Sequence, residues 1–232
     1  GQDGGMEKCS PPNDADFRKT IASFETFKRE LPAYSALLAL ETIQHRADPC
    51  NILEHTHDVL MRLRSDDFDT IRLAGIRVAL PELVRMVALY HDLDKYVRQT
   101  EPTFNAQQAK EQSISIAIQE LNRRSPPFFF CDNDKNIFAL LMKHGDYFGY
   151  NLDVLAKTGT AFRQAVKTLL ETHVEKPIEE FAKETGVFLE AEDLLKIQFE
   201  LSRADTLGIE SFKNNVGQID RLYAEMQKGF AY

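Results

Sequence analysis

The chain has 232 residues, a formal net charge of −8 and 43% hydrophobic residues. So acidic a balance speaks against a general nucleic-acid binder, because phosphate backbones select basic surfaces. The apolar content suffices for a core that needs no disulfides, and no apolar run reaches the ~18 residues of a membrane span.

Residues 1–13 have no apolar signal region. They are set aside as disordered or, for Gly1–Gly5 before Met6, as left over from expression. Cys9, Cys50 and Cys131 are odd in number and lack metal-ligand spacing, so they read as reduced thiols of a cytoplasmic protein.

From Asp14 onward, apolar residues recur at helical spacing. Phe17, Ile21, Phe24 and Phe27 mark a first helix to Leu31, ended by Pro32, and a second runs from Ala33 to Arg46. These two form an optional N-terminal subdomain of one helical domain, 14–232. Asn51 suits the cap of a third helix, to about Arg64. Pro81 suits the first turn of a fourth, to about Lys95. A fifth covers Asn105 to Arg124, and Ser125-Pro126-Pro127 punctuates it. Asp132 or Asp134 caps a sixth that ends near Gly145. The segment Asp146–Gly159 reads as an ordered loop. Helices over Ala161–Val174 and Pro177–Glu184 follow, then a long one from Ala191 to Lys228, broken at Gly208 or Gly217. The triplet Phe128–Phe130 is β-like but too short to matter. The expected class is all-α, a bundle of about eight to ten helices.

Polar residues on the apolar stripes carry the chemistry. Leu80, Leu83, Val84 and Val87 share a face, and His91 falls one turn later on it, with Asp92 at its edge. A buried carboxylate is expensive unless it is paired or bound to metal. Leu194, Ile197, Leu201, Ala204 and Gly208 form another stripe, and Asp205 lies one turn after Leu201. Ile52, Thr56, Val59, Leu60 and Leu63 form a third, with His55 and His57 on opposite flanks; periodicity does not choose between them. Ile137, Leu140, Leu141 and His144 align on a fourth. Imidazoles and carboxylates without thiolates suit Mn, Fe, Ni, Co, Mg or Zn, and not a structural zinc site.

The order His55-Thr-His-Asp-Val59, Tyr90-His91-Asp92-Leu-Asp-Lys95 and Ala204-Asp205-Thr-Leu-Gly208 resembles the HD superfamily of metal-dependent phosphohydrolases over roughly residues 50–210. The look is nearest to the HD module of tRNA nucleotidyltransferases, without the transferase head. The resemblance favours His55 over His57, because the family's first histidine precedes a Val by four residues. It implies one divalent metal held by His55, His91, Asp92 and Asp205. Two departures stand out: Asp94 where many members carry Gly, and Ala109 or Lys110 where many carry a further histidine. The second speaks for one metal and not two.

The implied activity is hydrolysis of a phosphomonoester or phosphodiester, expected to be a nucleotide, by water activated at the metal. Asp92 would orient that water, Lys95 would neutralise phosphate charge and His144 would act as general acid. The expected partner is thus a small phosphorylated substrate, with no membrane and no general nucleic-acid binding; a homodimer is left open. The alternative is a non-catalytic HD-fold regulatory or nucleotide-binding module, for which the departures at Asp94 and Ala109 speak.

Overall fold

The computed structural model describes residues 52–123 and 131–231. The helices expected over 14–31 and 33–46, the Asn51 cap and the triplet Phe128–Phe130 lie outside the described residues. Every regular element among the described residues is helical, with no strand, so the protein belongs to the all-α class. No helix among them is long and apolar enough to cross a membrane.

The central helix is α2, Leu80–Tyr90, buried along its entire length. Its residues are almost all apolar, as a helix surrounded by others requires. The two charged ones, Glu82 and Arg85, meet at 2.8 Å, and Arg85 also reaches Asp66 at 2.6 Å. Pro81 sits in its first turn, where the missing N–H is no loss. Packed against α2 are α1 (Ile52–Arg62), α4 (Ala106–Arg123) and α5 (Asp132–His144), together with a 3₁₀ turn over Ser65–Phe68. Asp134 fixes the start of α5. It accepts from the backbone N–H of Cys131 at 3.0 Å, of Arg77 at 2.7 Å and of Val78 at 3.1 Å. Cys131, and neither Asp132 nor Asp134, is the cap itself.

The helix expected over Pro81–Lys95 is two helices. α2 stops at Tyr90 and α3 runs over Leu93–Thr100. Asp92 stands in the joint with φ −99° and ψ 6°, outside the helical well. On an unbroken helix, consecutive side chains diverge by ~100°. The joint lets His91 and Asp92 converge.

The loop over residues 146–158 is ordered by two 3₁₀ turns, Phe148–Tyr150 and Leu152–Ala156. α6 (Gly159–Leu170) passes through a π turn, Glu171–Glu175, into α7 (Lys176–Thr185), so the expected break before Pro177 is a wide turn within one helical path. α8 (Ala191–Leu207) ends at Gly208, a 3₁₀ turn spans Glu210–Asn215, and α9 covers Val216–Gly229. Gly208 is therefore the break, and Gly217 lies inside α9. α8 packs on α9 and α1, which brings residues near 205 over those near 55.

Two buried polar ties hold α8 in place. Gln198, fully buried, accepts from the Tyr147 hydroxyl at 2.9 Å and donates to the carbonyls of His144 at 3.1 Å and His173 at 2.8 Å. Glu200 accepts from Arg203 at 2.7 Å and from the Arg64 backbone at 2.7 Å, while Arg203 donates to the Arg62 carbonyl at 2.8 Å. The second tie locks α8 to the end of α1.

Candidate metal centre

Three stretches of the chain meet at one point. α1 supplies His55, the α2–α3 joint supplies His91 and Asp92, and the last turn of α8 supplies Asp205. One ligand atom of each lies within 4.8 Å of all the others, so this group can hold a metal ion. His55 Nε2 is 2.8 Å from Asp205 Oδ1 and 3.2 Å from Asp92 Oδ2. His91 Nε2 is 3.1 Å from each of the same two oxygens. Bonds of about 2.1 Å to a six-coordinate ion place adjacent ligand atoms about 3.0 Å apart.

The far side of each ring fixes its chemistry. His55 Nδ1 donates to the Gly208 carbonyl at 3.0 Å, and His91 Nδ1 donates to the Ala88 carbonyl at 2.6 Å. With Nδ1–H committed, a neutral ring turns its Nε2 lone pair toward two carboxylates, which is acceptor against acceptor. A positive charge must lie between them, carried either by protons on the ring nitrogens or by a bound ion. Such backbone acceptors behind a histidine are what orients a metal-binding ring. Asp92 Oδ2 is buried and faces the two ring nitrogens at 3.1 and 3.2 Å without a well-aligned hydrogen bond. A cation at the centre of the group would satisfy that oxygen and both nitrogens together, so the residues fit a divalent ion.

Without an ion, the two rings carry that charge as protons. Burial pulls His55 down, but hydrogen bonds and charge from Asp205 and Asp92 more than offset it and raise the ring to about 9. His91 moves up for the same reasons. Burial would raise Asp92 and Asp205, yet the two rings hold both carboxyls well below the usual range.

A cavity of about 600 Å³ opens over the group. Lys95 lines it and meets Asp92 Oδ1 at 3.0 Å, so one oxygen of Asp92 faces the cluster and the other a lysine. Asp94, the departure from the family pattern, also lines it and lies 3.7 Å from Lys110 and 4.0 Å from Arg98. Ala109 is fully buried. Lys110 reaches the His91 carbonyl at 3.2 Å. His57 is half-buried and outside the cluster.

His144 does not join this group. It lines a neighbouring cavity of about 730 Å³ with Pro177, Glu180 and Phe181, where burial and then the charges of His173 and Lys143 push it down. The residue that does line the first cavity is Asp146, two positions on. It accepts from Ser202 Oγ at 3.0 Å and shares a hydrogen bond with Asp205. Burial, and then the charge of Asp205, push its carboxyl well up. Helical periodicity stops at Gly145, so no sequence pattern marks Asp146. Its only trace is Ser202, three residues before Asp205 and therefore on the same face of α8.

Gly208 follows Ala204 on the stripe of α8, and its missing side chain has a use. A Cβ there would lie 2.8 Å from Val59 Cγ2 and 3.3 Å from the His55 ring. The absence of a side chain lets the chain turn close enough for its carbonyl to accept from His55.

No protein-family model matches this chain, and no curated protein matches it. The chemistry of the site therefore rests on its own geometry.

Proposed function

We propose that the protein is a metal-dependent phosphohydrolase acting on a phosphomonoester or phosphodiester, in the manner of the HD superfamily that its sequence resembles. The observation that carries this is the His55–His91–Asp92–Asp205 group, with His55 and Asp92 buried, Asp92 Oδ2 aimed at its centre and a cavity above it. The N/O donor set suits Mn, Fe, Co, Ni, Zn or Mg. When bound, such an ion supplies Lewis acidity at a phosphoryl oxygen and a nucleophilic water at neutral pH.

The chain's own residues do the rest. Lys95, Arg98, Lys110 and Lys143 line the cavity and offset phosphate charge in a protein of net charge −8. Lys95 also holds Asp92 in place. Asp146 and Ser202 brace Asp205 from behind. The resemblance puts Ala109 or Lys110 where a further histidine would serve a second ion, which supports a single metal. The free thiol of Cys131 suits a reducing, cytoplasmic compartment.

The test is phosphate release from an aryl phosphate and from nucleotides by metal-loaded protein. Asp92→Ala is expected to lower it at least a thousandfold. A protein that binds nucleotides equally with and without a chelator, and releases no phosphate, would instead be a non-catalytic binding module.

A further inference from the structure

The cavity over the cluster has a lining of mixed character. Its cations come from α3, α4 and α5, whereas Tyr150 and Phe212 come from two 3₁₀ turns that pack on α8 and α9. Neither ring is part of the core. The large apolar side chains exposed among the described residues are Met61, Tyr150, Phe188 and Phe212, and two of these four line this one cavity. Tyr150 is 87% exposed and Phe212 37%.

Nearby aromatic rings behave otherwise. Tyr147 stacks on His173 at 4.0 Å, and Phe199 stacks on Tyr223 at 4.1 Å. Among the described residues, Tyr150 and Phe212 enter no ring contact. The space beside Tyr150 is open as well, since a Cβ on Gly149 would meet nothing within 4 Å. Two unstacked aromatic rings at the mouth of a cavity that also holds four cations offer a planar ring and a phosphate their separate partners. A cavity of about 600 Å³ has room for both.

We propose that Tyr150 and Phe212 form a stacking surface for a purine or pyrimidine ring, which selects nucleotides over phosphate esters that lack a ring. This rests on the phosphohydrolase reading, with phosphate at the cluster and base at the rim. Because every base has a π face, the surface favours nucleotides as a class without choosing one base. Both side chains are exposed, so truncating them leaves the core intact.

The chain has no tryptophan, so Phe212→Trp places a single indole at the rim. Metal-loaded Phe212→Trp protein is titrated with adenosine monophosphate and, separately, with glycerol phosphate. Adenosine monophosphate is expected to quench the indole saturably, and glycerol phosphate is expected not to. In the same background, Tyr150→Ala is expected to weaken adenosine monophosphate binding about tenfold, and Tyr150→Phe to keep it within about twofold. In the wild-type background, Tyr150→Ala is expected to raise KM for adenosine monophosphate about tenfold and to leave kcat/KM for glycerol phosphate within about twofold. Equal losses on both compounds, or no quenching, would overturn the stacking surface. Saturable quenching without phosphate release would keep the stacking surface and remove the hydrolase reading. Phosphate release with no preference for adenosine monophosphate would do the reverse.

Discussion

His55 and His91 each spend one ring nitrogen on a backbone carbonyl, and that commitment aims the other at Asp92 and Asp205. The His55 contact depends on Gly208. Gly208→Ala would force Val59 or the His55 ring to move. It is expected to lower metal affinity about tenfold and to cost about 1–3 kcal/mol of stability, the usual range for overpacking. Chelator competition and urea unfolding measure the two effects, and a variant with unchanged metal affinity would show that the ring is held by other means. His91, Asp92 and Asp205 were legible in the sequence because each interrupts or ends an apolar stripe. His55 was one of two candidates there, and the HD resemblance singled it out. Asp146 was not legible, because it follows a helix end where no periodicity operates. His144, which shares a stripe with Leu141, lies in a different cavity; periodicity tells that a side chain points inward, not toward which cavity.

At the scale of elements, α8 is held by Gln198 and Glu200. Gln198→Ala would strip partners from the Tyr147 hydroxyl and from the carbonyls of His144 and His173. A loss of about 2–4 kcal/mol in urea unfolding is expected, since each stranded buried group costs about 1–3 kcal/mol. Glu200 adds a pH dependence. Burial pushes its carboxyl up, but Arg203 and Arg64 more than offset this and hold it below its ordinary value of 4.5. A depressed folded-state value means stability that is present above pH 4.5 and lost as the pH falls through the lower folded value. The stability gap between the protein and Glu200→Gln is therefore expected to be full at pH 7 and to shrink on acidification toward pH 3. A gap that stays constant with pH would contradict the ion-pair account. The helix spans were largely legible, because apolar stripes and Pro punctuation mark them. The joint at His91-Asp92 was not, since Leu89 and Leu93 continue the stripe straight through it. The π turn before Pro177 was hidden as well: Pro177 reads as a break, whereas the carbonyl of His173, four residues earlier, accepts from Gln198 in place of the donor that proline lacks.

For the whole molecule, the cluster is a long-range clasp. His55 and Asp205 are 150 residues apart in sequence, and the joint between α2 and α3 lies between them. An ion bound there would fasten α1, α2 and α8 at one point, so its loss should be felt by the entire fold. Free ion at a hundred times its Kd is expected to stabilise the protein by about 2.7 kcal/mol. A chelator should then lower Tm by several degrees in the protein and leave Asp205→Ala unmoved. The all-α class was legible because stripes of period 3.6 run through nearly every segment. The cavity above the cluster was not, because its lining comes from six helices and two 3₁₀ turns that only the packed chain brings together. The most direct test of the account is the divalent metal content of purified, metal-reconstituted protein beside Asp92→Ala and Asp205→Ala. One ion per chain, lost in both variants while helical content is kept, is the expected result. A folded chain that takes up no ion, or variants that retain it, would contradict the account.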